Sequence, residues 1–392
     1  MNQLSNYVEI LLGGTPATNR PEFWDGLIPW VSIVDFTDSK KIFKTEKTIT
    51  EEGLNLSNTK LLHEGNIIVS ARGTVGKVAV CGTRMAFNQS CYALITKDSK
   101  TLSQNYLFYL LQEKIKYLKQ MAVGGVFNTI IKSTLEKIPV ELPDIDTQEE
   151  IALTLSGYDD LIDTNRRRLQ LLEEAARLLF REWFVYFRFP GHEKVRIIKD
   201  GISKTPEWWT KEKVVNVVKR IPSGELYDQK TAEPTGSVPI LDQGQSGIIG
   251  YHNNEPSVTA SLDNPVIVFA NHTCNQRIIN FPFSAIQNVF PFLPSKENYR
   301  NIYWLHYATD NLVQLNAYKG HWPEFMAKDI LLPPEDLCDK FGNIISLIHK
   351  QIFNISTQNQ KLAQACDLLL PRLMSGAIDP VRYDKLSNGV EV

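Results

Sequence analysis

The chain has 392 residues, 43% hydrophobic and 22% charged, with a formal net charge of −2. That length holds two or three domains, and that hydrophobic share supplies real cores, which excludes a generally disordered protein. A charge so near zero excludes a uniformly basic nucleic-acid binder, so any such surface must be a local patch or be supplied by a partner.

Residues 1–145 read as an α/β domain. The segment GGTPATNRPEFWDGLIPWVSIVDF from Gly13 is dense in Gly, Pro and aromatic residues, which predicts a packed irregular loop leading to a short strand near Ile28–Ile33. Asn66–Ser70 and Lys77–Val80 are short apolar strands around the turn Arg72-Gly73-Thr74-Val75-Gly76, and Phe87-Asn88-Gln89-Ser90 leads into a further strand at Cys91–Ile95. A helix follows over Leu102–Met121, and Gly124-Gly125 opens a loop returning to Ile138 and Pro139.

The next stretch, 146–190, reads as one long helix. Ile151, Leu155, Tyr158, Ile162, Asn165, Leu169, Leu172, Ala176, Leu179, Trp183 and Tyr186 recur in alternating steps of four and three, the seam of a coiled coil. Thr147 with Glu150 supplies a capping box, and Pro190-Gly191 ends the run. About 40 residues make a rod of roughly 60 Å. Such a rod needs a partner.

Residues 191–335 hold a linker and then, over 205–335, a repeat of the order of the first domain. Ser237-Val238-Pro239-Ile240 echoes Leu27-Ile28-Pro29-Trp30, Val266-Ile267-Val268 echoes Ile67-Ile68-Val69, and Gln287-Asn288 stands for Asn88-Gln89. A helix near Tyr299–Leu315 and then Gly320-His321-Trp322 complete it. The second helix lies in 336–392. Phe341, Ile345, Ile348, Ile352, Ile355, Asn359, Leu362, Cys366 and Leu369 repeat the seam, and Leu332-Pro333, Ser346, Ile352 and Leu362 copy Leu142-Pro143, Ser156, Ile162 and Leu172. The fold class is therefore α/β (α+β), with two similar domains separated by two long helices that form an antiparallel intramolecular coiled coil. Setting Asn165 opposite Asn359 gives each polar seam residue a partner, places Trp183 against Phe341 and Leu155 against Leu369, and makes every other layer apolar. Pro371 is expected to kink or end the second helix.

Catalytic motifs fail in turn. Gly73–Lys77 (GTVGK) lacks the spacing of a phosphate loop, and Val78 stands where a Ser or Thr must reach magnesium. Asn264-Pro265-Val266 lacks the second Pro of an adenine-methyltransferase tetrad, and there is no GxGxxG, HExxH or GxSxG. The seven histidines show no metal spacing. The five cysteines are scattered and never form CxxC, which argues for a reducing cytoplasm. No apolar run can span a bilayer, and no leader opens the chain, so no membrane partner is expected.

The run GTVGKVAV followed by Phe87-Asn88-Gln89 joins the Gly13 segment, LPDIDTQEEIALTLSGYDDLIDTNRRRLQLLEEAARLLFREWF and NQKLAQACDLLLPRLMSGAI as the parts that carry a family likeness. Over nearly its whole length the chain resembles the specificity subunit of a type I restriction-modification system. The resemblance implies two target recognition domains, each reading one part of a split site on double-stranded DNA. It also implies helices that set the spacing and hold two methyltransferase subunits, with restriction/translocase subunits completing the system. S-adenosylmethionine, ATP and Mg would belong to those partners, with no cofactor and no catalysis in this chain.

Candidate DNA contacts in the first domain are Arg72, Thr74 and Lys77 in the Gly-rich turn, with Thr15, Asn19 and Arg20. Gly73 and Gly76 could equally only shape a hairpin. Asn88-Gln89 could meet an adenine edge or satisfy backbone groups beside a buried strand. In the second domain the candidates are Asn271, His272, Gln276 and Arg277, with Lys319, His321 and Trp322. Arg166-Arg167-Arg168 is answered by Asp159, Asp160 and Asp163 and reads as a flank of the coil. Arg167 and Glu174 mark the outward face expected to hold the methyltransferase. The competing readings are a non-catalytic coiled-coil scaffold with two ligand-binding modules, and a nuclease with an unrecognised site.

Overall fold

Two units make up the computed structural model, which describes residues 2–121, 129–200, 203–244, 247–315 and 320–380. One unit takes the chain to Arg167 and again from Thr357, and the other is Arg168–Ser356. The expected loop at Gly124-Gly125 lies outside the described residues.

In the first unit, one sheet orders Val8–Leu12, Cys91–Thr96, Ile67–Ser70, Val78–Cys81 and Lys41–Ile42, and a second orders Lys47–Ile49, Trp24–Val31, Met85–Phe87 and Lys60–Leu62. Ile67–Ser70 is buried along its whole length. A core of Ile67, Val69, Leu94, Tyr106, Leu107 and Leu111 fills one face and includes Ile151 and Leu155 of the first long helix with Leu370 and Leu373 of the second.

The other unit repeats this plan. Val218–Arg220, Val289–Pro294, Val266–Ala270 and Gln276–Ile279 keep the order of the first four strands above. In the smaller sheet Ile248–His252, Val238–Leu241 and Ser284–Ile286 match Lys47–Ile49, Trp24–Val31 and Met85–Phe87, with the same antiparallel and parallel pairings. Only the edge differs: antiparallel Lys60–Leu62 in one, parallel Leu226–Tyr227 in the other.

The ladders correct the sequence alignment by one residue. Ile67 pairs with Leu94 and Val80, whereas Ile267 pairs with Phe292 and Ile278. Ile67 and Ile267 each face the core shared with the long helices whereas Val266 faces the other core, so Ile67 is equivalent to Ile267, not Val266. Likewise Gln89 is equivalent to Gln287, so the doublet is not swapped. Both inner strands are buried throughout. They carry no in-out alternation from which the register could be read.

The first long helix runs Ile145–Phe180 and continues as a π-turn over Arg181–Val185. Its cap is Asp144, not Thr147: the Thr147 amide donates to Asp144 Oδ1 at 3.0 Å and the Thr147 hydroxyl to Oδ2 at 2.8 Å. A carboxylate at that end also meets the positive pole of the helix dipole, and its bonds to Thr147 hold the Asp144 carboxyl below the usual range. The helix stops before Pro190 because the π-turn rotates Trp183 and Phe184 into the core and Phe187 then takes a φ of 59°. Buried Gln148 ties the helix start to the domain: its Oε1 accepts from the Ser103 amide at 3.0 Å, and its Nε2 donates to Thr101 O and Pro143 O.

Glu335–Met374 is the second long helix, and it runs through Pro371. Proline there forgoes one backbone bond, at a cost of about 3 kcal/mol. Burial of Leu370 and Leu373 on either side offsets that cost, so no break occurs. In the first unit the two helices are antiparallel. Asn165 is fully buried, its Nδ2 donates to Asn359 Oδ1 at 2.9 Å, and Asn359 Nδ2 donates to Ile162 O at 3.3 Å. In the other unit Trp183 and Phe184 meet Phe341 with ring centroids 5.9 and 5.1 Å apart, beside Ala176 and Ile345. The helix expected near Tyr299–Leu315 is shorter, Ile302–Thr309, because Asn301 caps it by accepting from the Tyr303 amide at 3.1 Å.

Each α/β domain is held to its long helices by different chemistry. In the first unit Lys40 Nζ donates to Tyr109 Oη at 2.7 Å and Tyr109 Oη donates to Asp159 Oδ2 at 2.6 Å. Burial pushes the Lys40 ammonium down and the Asp159 carboxyl up, ahead of their mutual attraction. Ser39 Oγ donates to Asp163, and Arg166 to Asp38 O at 2.7 Å, so the loop is strapped along one helix face. The other unit uses half-buried imidazoles. His349 Nε2 lies 3.2 Å from Tyr307 Oη, and Gln276 Nε2 lies 3.1 Å from His306 Nδ1. Burial first, then the nearby His349 and Arg177 charges, push His306 down to about 3, and burial pushes His349 down to about 4. Above pH 6.5 both rings are neutral folded or unfolded, and stability is indifferent to them. Below it the unfolded chain binds protons that the fold refuses. Stability should therefore fall steadily as pH drops from 6.5 towards 4, by roughly 2 kcal/mol per ring at pH 5. Thermal unfolding across that range should show it, and His349→Gln should flatten the slope.

Candidate nucleic-acid interface

Strand register gathers three loops at one end of the first unit. Leu12 pairs with Tyr92, Ser70 with Cys91 and Val69 with Val78, so the segments after Leu12, after Ser70 and before Cys91 emerge together. Gly13 and Gly14 are needed for this approach. A Cβ on Gly13 would lie 2.2 Å from Asn88 O, and one on Gly14 would lie 2.4 Å from Asn58 C. Thr15 follows, and its hydroxyl donates to Gln89 Oε1. The hairpin turn is framed from inside by buried Ser70, whose Oγ donates to Thr74 O and accepts from the Lys77 amide at 2.9 Å. Gly73 and Gly76 take φ values of 70° and 75°, and Arg72 and Thr74 stand exposed on the turn.

Thr15, Arg72, Thr74 and Gln89 thus share one end of the domain. Lys77 does not join them. Its Nζ turns to Phe36 O at 3.1 Å and to Asp38, and with Lys116 and Lys119 it lines a cleft of about 350 Å³ beside Gly76. Asn19 and Arg20 are exposed ahead of Trp24–Val31, and Arg20 pairs with Glu22 at 3.6 Å. That strand bulges between Trp24 and Ile28, which both pair with Ile49, and the Trp24 ring lies 5.1 Å from Trp30, whose Nε1 donates to Gly14 O at 3.1 Å.

The second unit treats its candidates differently. Asn271 is 7% exposed, accepts from the Trp322 amide at 2.8 Å and donates to Asn288 Oδ1. Gln276 is equally buried, donates to His306 O at 2.8 Å and accepts from Thr309 Oγ1. These amides brace the fold internally, where the sequence suggested base contacts. Arg277 donates to Asp242 O at 2.7 Å, and a Cβ on Gly247 would overlap its guanidinium, so it too is packed in. Burial lowers its pKa from the ordinary arginine value. His321 is fully buried 3.5 Å from Glu324, and Trp322 packs among Phe269, Phe290, Phe292 and Phe325. Lys319 lies outside the described residues. His272 remains at the turn, half-buried, its amide donating to Gln243 Oε1 at 2.8 Å.

A short polar stretch at a hairpin is thus an exposed turn in one unit and a hydrogen-bonded core in the other. Density of polar residues could not separate the two, because Gln276 and Asn271 are held by two different helices, 30 and 51 positions downstream. Gln243 and Thr273 were not foreseen. Thr273 Oγ1 donates to Gln243 O at 2.7 Å, and both line a cleft of about 720 Å³ with Asn275 and Asn311. Arg167 and Glu174 are exposed on the first long helix, where Leu171 and Leu178 are also 46% and 49% exposed. Positions 167, 171, 174 and 178 fall on one helical face. Among the described residues, no helix is long and apolar enough to cross a membrane.

Comparison with known proteins adds a family. Residues 3–174 match the family model described as the type I restriction modification DNA specificity domain. The chain is 25% identical over 405 residues to the type I restriction enzyme MjaIX specificity subunit of Methanocaldococcus jannaschii, covering 96% of this chain and 93% of that one. It is 29% identical over 144 residues to the HindI specificity subunit of Haemophilus influenzae, covering 36% of this chain and 31% of that one. Among solved structures, the S subunit of a type I restriction-modification system from M. genitalium has the same fold, with a TM-score of 0.56, 14% identity and 95% of each chain covered.

Proposed function

We propose, from the premise that this chain belongs to the type I restriction-modification specificity subunits, that each of its two units reads one half of a bipartite DNA site. The chain is the DNA-recognition subunit of such a system. What supports the division of labour is a single observation: the strand order is duplicated while the loops at the reading end are not. The first hairpin turn spans 71–76 with two left-handed glycines, and its counterpart spans 271–274 and is tied to Gln243. Cores that repeat and loops that diverge suit one task carried out on two targets.

The two long helices would set the spacing of the half-sites, which for readers one DNA turn apart is roughly 34–36 Å. Their outward faces would dock two methyltransferase subunits. The exposed stripe of Arg167, Leu171, Glu174 and Leu178, with Leu347 and Leu368 on the second helix, offers apolar area to such partners. Those partners would supply S-adenosylmethionine chemistry and much of the phosphate contact, which accommodates the near-neutral charge of this chain. A restriction/translocase subunit would bring ATP and Mg, and the assembly would work in the cytoplasm.

Sequencing of methylated sites in DNA from cells carrying the chain with its methyltransferase tests this reading. Two short specified segments separated by a non-specific gap are expected. A continuous motif would contradict the two-reader arrangement.

A further inference from the structure

Two independent ladders fix one equivalence between the units. In the larger sheets Ile67–Leu94 corresponds to Ile267–Phe292, and in the smaller sheets Trp30–Ala86 corresponds to Ile240–Ser284. Both place Gln89 and Gln287 at the same point of the repeated fold. Their neighbours are not retained, since Asn88 faces Ile286 in the comparison and Ser90 faces Asn288. The residue after each glutamine is clamped by the same backbone bond: Ala71 N to Ser90 O at 2.8 Å, and Asn271 N to Asn288 O at 2.9 Å. Each main chain is thus held while each glutamine side chain stands exposed. Gln89 has its amide plane set by the Thr15 hydroxyl on Oε1, which leaves that oxygen a second lone pair and leaves Nε2 free to donate. The glutamines are retained at this position although the flanking residues differ, and neither side chain is enclosed in the core.

We infer that Gln89 and Gln287 are equivalent base-reading residues, each taking the major-groove edge of one adenine in its own half-site. A carboxamide matches that edge with two bonds, Oε1 accepting from N6–H and Nε2 donating to N7. The inference rests on the DNA-recognition reading above and adds to it which residue reads and which base it reads.

The experiment uses the full specificity chain assembled with its methyltransferase and reads methylated sites by sequencing. The unaltered complex first defines the two half-sites, so failure of the general reading shows there, before any variant is made. Gln89→Ala should then relax discrimination at one A·T pair of one half-site by roughly five- to 150-fold. Gln287→Ala should do the same in the other half only. Gln89→Glu keeps the shape but removes the donor, and a carboxylate accepts from cytosine N4, so preference at that one position should move from A towards C. Unchanged motifs in the alanine and glutamate variants would overturn the inference. So would changes in both halves from one substitution, or uniform loss of methylation at all sites by assembled complex.

Discussion

Replacing Phe341 by alanine is expected to destabilise the second unit by about 3–5 kcal/mol, the cost of emptying a large aromatic site in a packed core. The ring is fully buried. It contacts Phe180, Trp183, Phe184 and Tyr307 at centroid distances of 5.9, 5.9, 5.1 and 6.1 Å. The π-turn at Arg181–Val185 exists to the benefit of this cluster, because it brings Trp183 and Phe184 inward together. Three of its partners lie on the first long helix and its extension, so the loss also loosens helix pairing within this unit. Thermal unfolding should show a drop on the order of 10 °C. Phe341→Leu, which keeps most of the volume, should cost far less. An alanine variant melting within a degree or two of the parent would show that the cluster does not hold the helices.

Much of this was legible in the sequence for a physical reason. A coiled-coil seam depends only on local spacing, and a lone polar member in each seam has a strong preference for its counterpart. Asn165 and Asn359 are accordingly bonded at 2.9 Å, and Trp183 lies against Phe341. The duplication was legible from the same kind of periodic match. Features decided by distant partners were not. The cap moved to Asp144 because its carboxylate reaches the Thr147 amide, and Pro371 stays in its helix because both flanks are buried. The strand alignment slipped by one because an all-buried strand reads the same in either register.

The site divides along the same line. Arg72 and Thr74 stand on the turn where the glycines put them, since a left-handed turn is a local property. Asn271, Gln276 and His321 are buried by elements remote in sequence, which no hairpin pattern announces. From the sequence, Gln89 suits satisfying backbone groups as well as meeting an adenine edge. Its exposure and its equivalence to Gln287 became visible only once the ladders were in register.

Under the proposed division of labour, two readers of one fold act independently, each on its own half-site. The exchange of one reader tests it most directly and carries the largest functional effect. Residues 1–145 would be replaced by the first domain of another specificity subunit, chosen to keep a lysine at the place of Lys40 so that Asp159 is not left unpaired in its buried position. The core shared with Ile151, Leu155, Leu370 and Leu373 also requires apolar residues of similar size on the incoming face. The hybrid, assembled with its methyltransferase, would then be read by sequencing methylated sites. One half of the motif should be replaced entirely by the donor's half, with the other half unchanged. A motif altered in both halves, or left unaltered in both, would contradict the account.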